Sequence, residues 1–356
     1  LPLPQKVVEK LGDAWVKKEN YVGNGAYKLA NHIINEKIEF ERNPLYWNDK
    51  ETVINSATFL AIENPSTDVA RYRAGDLDMT SYALPPEQFA KLQKELPGEV
   101  FTTRTLATYS YELNNKKAPF DNVNVRKALN LSLDRNVITD KVLGQGQTPT
   151  YVFTPTYIEE GQLIQQPAYS KEPMAQRNEE AIKLLEEAGY SKANPLKFSI
   201  LYNTNENHKK VAIAAASMWK ANTKGLIDVK LENQEWKTYI DSRRAGRYDA
   251  ARAGWNADYN QATTFGNYFL SNSSNNTAKY ANPEYDKAIA ESYVATDAEG
   301  RAKAYAKAEE ILAKDFGIVP IFNYVNPRLV KPYVKGYSGK DPQDHIYLRN
   351  LYIIKH

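Results

Sequence analysis

Hydrophobic positions along this chain switch repeatedly between a period of two and a period near 3.6, the signatures of half-buried strands and amphipathic helices. A short helix is expected over residues 7–18, followed by a turn at Gly23-Asn24-Gly25. Ile38-Glu39-Phe40-Glu41 alternates as a strand, and residues 57–62 (Ala-Thr-Phe-Leu-Ala-Ile) predict a buried one. Thr67 can cap a helix through Val69, Tyr72 and Arg73 that stops at Gly75, after which Asp76-Leu77-Asp78-Met79 resumes as a strand.

Past Pro119 the pattern becomes helix and strand in alternation. Asp121 or Asn122 can cap a helix carrying Val125, Ala128, Leu129 and Ser132, with turns at Gly144 and Gly146. Residues 177–188 form a strongly periodic helix ended by Gly189. Leu196, Phe198, Ile200 and Tyr202 then alternate as a strand with one buried face. A helix over 211–222 and a strand through Ile227, Val229 and Leu231 repeat the arrangement. Helices follow at 283–293, opened by Asn282 and Pro283, and at 298–313, then an apolar strand at 318–322. The stretch from Arg328 to His356 ends in strand-like Tyr352-Ile353-Ile354. Such alternation predicts an α/β fold of mixed sheets flanked by helices.

Composition narrows the function. At 356 residues the chain is long enough for two or three domains. The 46 Lys and Arg against 43 Asp and Glu leave a net charge of +3 with no basic tail, so nucleic acid is not an expected partner. No apolar run approaches the roughly 18 residues of a membrane span. The absence of cysteine removes disulfides, thiolate nucleophiles and Cys-ligated metals, and leaves the redox compartment undetermined. The 25 tyrosines suit surfaces that are apolar yet hydrogen-bond, a first sign of a binding cleft. The opening Leu1-Pro2-Leu3-Pro4 lacks the charged and apolar regions of a signal peptide and reads as the middle of a longer chain.

The search for catalytic motifs is negative. HExxH, GxSxG and GxxxxGK[ST] are missing, and Gly23-Asn24-Gly25-Ala26-Tyr27-Lys28 lacks the third glycine of a dinucleotide loop. His32, His208, His345 and His356 have no metal-ligand partner at helical spacing, so neither a metal nor a cofactor is expected. Arg252 lies in the small-residue run Ala251-Arg252-Ala253-Gly254, where an unpaired guanidinium is costly. An internal bridge to Asp249 or Asp258 is the commoner solution, and a ligand anion is the other. Trp236, Trp255 and Tyr259 by themselves fit core filling, and the polar run 203–210 fits an ordinary loop and helix cap.

Several segments in order nonetheless resemble one family. They are Asn24-Gly25-Ala26-Tyr27, residues 42–47 (Arg-Asn-Pro-Leu-Tyr-Trp), residues 71–79 (Arg-Tyr-Arg-Ala-Gly-Asp-Leu-Asp-Met) and residues 119–129 through Asp134-Arg135. Asn233-Gln234-Glu235-Trp236-Lys237-Thr238, Ala251-Arg252-Ala253-Gly254-Trp255 and residues 326–332 complete the set. The chain is similar along its length to the periplasmic oligopeptide-binding proteins of ABC importers, extracytoplasmic solute-binding proteins for peptides.

The resemblance implies a two-lobed periplasmic-binding-protein fold of type II, cluster C-like, that closes on short extended peptides and delivers them to an inner-membrane ABC permease. It implies a periplasmic, non-enzymatic, monomeric protein without cofactor. Residues 1–106 would be the middle of the first lobe, 107–325 the second, and 326–356 a return to the first, with the crossing strands as hinge. The family's amino-terminal portion, with its small second domain, is expected to be absent. By resemblance Asp258 meets the ligand's α-ammonium, and Arg252 and His208 its carboxylate in peptides of different lengths. Trp236, Trp255, Arg243 and Asn203 fall at side-chain pockets. Two family cysteines are replaced here by Ala107 and Asn256, a basic residue serving the shortest ligands by Leu143, and a polar pair after Ser81 by Tyr82-Ala83. Alternatives within the family are murein tripeptide, dipeptide, nickel-complex or haem binding. A peptidase is the remote alternative, and an open-cleft chaperone another.

Overall fold

The computed structural model describes residues 3–81 and 83–355, so that Leu1, Pro2, Tyr82 and His356 lie outside the described residues. The first helix, α1 (Gln5–Leu11), is shorter than the pattern predicts. Gly12 takes φ +52, which leaves the helical region, and the chain continues to Asn20 as 3-10 turns. Strands β1 (Tyr27–Ile33), β2 (Lys37–Arg42) and β3 (Ser56–Leu60) form an antiparallel sheet in that order. The expectation of a buried β3 is corrected: Phe59 is 52% exposed and meets Phe40 edge-on.

Helices α2 (Pro65–Ala74) and α3 (Pro86–Glu95) make a separate small core from Val69, Tyr72, Leu84, Phe89, Leu92 and Leu329. Asn64, rather than Thr67, caps α2 and accepts from the Ser66 amide at 2.8 Å. Pro65 holds the first helical position, so the cap falls on the residue before it. Gly75 ends the helix at φ +87, as expected. The strand expected at 76–79 reduces to one bridge between Met79 and Val330.

The larger sheet joins β4 (Val100–Leu113), β5 (Thr148–Pro149), β6 (Leu196–Asn203), β7 (Ile227–Gln234), β8 (Ala250–Asn256) and β9 (Ile318–Leu329) in the order β5-β9-β4-β8-β6-β7. Strand β6 runs parallel to both β7 and β8, while β4 pairs antiparallel with β8 and β9. Helices α4 (Val123–Leu131), α5 (Met174–Glu187) and α6 (Glu206–Asn222) cover one face. Helix α7 (Trp236–Arg244) packs Tyr239 against Leu201 and Ala251 on the other. The single buried face expected of β6 is therefore corrected to two, as parallel strands between helical layers require. The short α8 (Thr263–Gly266) and the pair α9 (Pro283–Val294) and α10 (Ala298–Lys314) build another core around Phe265, Phe269 and Ile289. Asn122 caps α4, and Asn282 caps α9 with Pro283 behind it. Short strands β10 (Val334–Lys335) and β11 (Tyr352–Ile353) pair near the end.

Strands β4 and β9 run side by side from the small core into the large sheet, and their pairing breaks between Arg104 and Thr108. In the break the Leu106 amide donates to the Pro342 carbonyl at 2.7 Å, and the Ala257 amide donates to the Leu106 carbonyl at 2.8 Å. The strand thus changes partners where the chain passes between the two cores. Immediately after it, Ala107 faces Asn256 across β4 and β8. The two positions where the resemblance expects cysteines in relatives are direct cross-strand neighbours.

Candidate functional site

A cavity of about 640 Å³ opens where the carboxyl ends of β6 and β8, the first turns of α6 and α7, and the segments 324–327 and 342–345 converge. Crevices at the carboxyl ends of parallel strands are a usual place for ligands in α/β sheets. Each polar wall residue follows from a local rule. Asn203 ends β6, and Asn205 two residues on caps α6 by accepting from the Asn207 and His208 amides at 2.9 and 3.1 Å. That cap turns the first face of α6, with His208 and Val211, toward the cavity. Glu235 caps α7 in the same way, leaving Trp236 at its first position, 55% exposed and on the cavity wall.

Arg252 opposes Tyr111 across β4 and β8, and so shares a sheet face with Tyr109, whose ring centroid lies 5.2 Å from the guanidinium carbon. Its terminal nitrogens donate to the Tyr324 hydroxyl and, at 3.5 Å, to Asn203 Oδ1. Its Nε is buried with no hydrogen-bond partner among the described residues. Neither internal bridge forms. Asp249, three residues away and hence on the opposite strand face, is held by Lys117 at 2.6 Å and by the Ser199 amide at 3.0 Å. Asp258 bonds to Thr264 instead. The Arg252 guanidinium, charged at all working pH, thus lines the cavity with hydrogen bonds to neutral groups among the described residues.

His208 is half-buried beside Tyr109, with ring centroids 5.6 Å apart. Burial, reinforced by the nearby Arg252 charge, pushes its imidazole well below the usual histidine range, so it is neutral at pH 7. A neutral imidazole still offers one N–H to an incoming acceptor.

The remaining expected residues sit behind or beside the cavity. Arg243 is buried and bonds Glu112 at 2.9 Å, the Tyr268 hydroxyl at 3.1 Å and the Thr277 hydroxyl at 3.1 Å, so it supports the wall without lining it. Trp255 packs edge-on against Tyr268 with centroids 4.8 Å apart. Asp258 is exposed, next to the cavity-lining Asn256 and Ala257. Leu143, where the resemblance expects a base, is buried in the wall. The sequence pattern missed Tyr109, Tyr324, Gln145 and Asn326, all on the wall. Ending the last sheet strand at 322 hid Tyr324 and Asn326; the alternation Phe322, Tyr324, Asn326 was the available signal. Among the described residues no group of three or more His, Asp or Glu is placed to hold a metal ion, and no helix is long and apolar enough to cross a membrane.

A two-faced α/β sheet with a polar, aromatic cleft beside its crossing strands is the architecture of a solute-binding protein. The chain belongs to the family described as Bacterial extracellular solute-binding proteins, family 5 Middle, which it matches over residues 1–277. It is 97% identical over its whole length to the periplasmic oligopeptide-binding protein OppA of Haemophilus influenzae, and spans 66% of that relative. A crystal structure of Haemophilus influenzae OppA in complex with RPPGFSPFR is 96% identical and superposes with a TM-score of 0.97, covering all of this chain and 69% of that one. The unliganded open form of the periplasmic murein tripeptide-binding protein MppA, 42% identical over all of this chain and 68% of that one, superposes at 0.69. The two cores are therefore arranged here as in the peptide complex.

Proposed function

We propose that this chain is the larger part of the periplasmic component of an ABC oligopeptide importer, which closes on short extended peptides and presents them to an inner-membrane permease. The observation that carries the reading is Arg252, a cavity-lining cation whose hydrogen bonds, among the described residues, go to neutral groups. A peptide carboxylate supplies the missing anion, with His208 donating to longer ligands and Asp258 meeting the α-ammonium at the other end. Asn203 and Trp236 on the wall offer side-chain space, with Trp255 and Arg243 behind them. Recognition through termini and backbone makes affinity independent of sequence. The reading is of a protein that binds the peptide and releases it intact; recovery of unchanged peptide by mass spectrometry after prolonged incubation is the expected outcome.

The test is calorimetry on the complete protein with trialanine, tetra-alanine, penta-alanine and RPPGFSPFR, each with a free and an amidated carboxyl end. Free-acid tripeptide binding that weakens about tenfold or more on amidation, and likewise in Arg252→Ala, is the expected result. Equal affinity for acid and amide sinks the reading.

A further inference from the structure

Asp258 is an exposed carboxylate on the loop after β8, and an exposed carboxylate left to itself samples several rotamers. Here it is not left to itself. The hydroxyl of Thr264, a buried residue of α8, lies 3.2 Å from the Asp258 amide nitrogen, 3.3 Å from Trp255 Nε1 and 3.5 Å from Asp258 Oδ2. A hydroxyl has two lone pairs and one proton. Both nitrogens carry hydrogen and must donate, which occupies the lone pairs and leaves the single proton for the carboxylate. We propose that Thr264 is a positioning residue that aims the Asp258 carboxylate at the peptide's α-ammonium, and so sets the preference for a free amino terminus.

The reading rests on the role of Asp258 proposed above and deepens it. The support behind Thr264 is continuous. Trp255, whose indole N–H fixes one lone pair, lies edge-on against Tyr268. The Tyr268 hydroxyl donates to Glu112 at 2.6 Å, and Glu112, on β4, is held by Arg243 on α7. Arg243 and Trp255, expected at pockets, thereby become the far end of a strut that reaches the ammonium site from the sheet. Such fixing removes rotamer freedom before the ligand arrives, which is what preorganisation contributes to affinity.

The experiment is calorimetry on the complete protein with trialanine and N-acetyl-trialanine, using wild type, Thr264→Val, Thr264→Ala and Thr264→Ser. Wild type should prefer the free amine by about tenfold or more, and Val and Ala should narrow that ratio about fivefold by weakening the free amine alone. Ser, which keeps the hydroxyl, should restore the ratio. A ratio unchanged in Val and Ala overturns the proposal, because a packing role would weaken both peptides alike. If wild type itself does not discriminate, the Asp258 reading fails and this proposal with it. Should Val unfold, Ala and Ser alone decide.

Discussion

At the scale of single residues, His208 has the most testable environment. Its folded pKa lies below the unfolded value near about 6.5, so the unfolded chain takes up a proton that the native site refuses. The sign follows: the stability this group contributes is present above pH 6.5 or so and is lost as pH falls toward the folded value, by at most about 1.4 kcal/mol per pH unit. His208→Gln should therefore lose less stability than wild type between pH 7.5 and 5 in the peptide-free protein, measured by urea unfolding at each pH. Parallel pH profiles for the two proteins would show that His208 is solvated in solution. Asn203 and Asn205 illustrate legibility at this scale: their strand-end and cap positions were readable as a polar loop, whereas their facing a cavity with Arg252 depended on strands 49 residues apart in sequence.

At the scale of elements, capping and glycine chemistry made most helices readable, because those signals lie within a few residues of one another. Asn282 with Pro283 and the stop at Gly75 needed no tertiary information. Errors fell where neighbours overrode local pattern. Residues 57–62 look like buried strand but sit in a three-stranded sheet with no helix layer over Phe59 among the described residues. The register of β4 on β8 makes a direct prediction. The bond from the Ala257 amide to the Leu106 carbonyl marks Ala107 and Asn256 as a non-hydrogen-bonded pair, the kind whose side chains approach most closely. The double variant Ala107→Cys, Asn256→Cys should oxidise to a crosslink, with a mass loss of two hydrogens and about 2–4 kcal/mol of added stability. Two free thiols persisting in the oxidised, folded protein would refute the register.

At the scale of the whole molecule, the small helical core and the large sheet meet at the cavity wall and also beside it. Glu87 on α3 and Lys210 on α6 form an ion pair at 2.6 Å, and the Gln145 side chain donates to the Leu84 carbonyl at 2.8 Å. Lys210 holds the Glu87 carboxyl below its usual range. The pair is largely solvated, so it is worth about 1 kcal/mol or less, yet that is enough to shift an open–closed equilibrium about fivefold. Glu87→Gln in the complete protein should enlarge the ligand-free radius of gyration in X-ray scattering at low salt, and the difference from wild type should vanish at 1 M NaCl. An unchanged scattering curve at low salt would mean the pair does not hold the bodies together. The chain's superposition on a peptide complex at 0.97, against 0.69 for an open form, is the arrangement in which this pair is made.

By itself the sequence determined the α/β alternation, most helix ends, the absence of cysteine and catalytic motifs, and the family, since each depends on residue type and short spacing. It also raised the expectation of an anion near Arg252, because an unpaired guanidinium among small residues is costly. Only the tertiary structure decided which anion is excluded. Strand alternation sends Asp249 to the other face, and Thr264 takes Asp258, neither of which is visible without knowing that β8 lies between β4 and β6. The same holds for Arg243. Its charge was readable, but its partner Glu112 lies 131 positions earlier, and the long-range pairing of β4 with β8 is what brings the two within 2.9 Å.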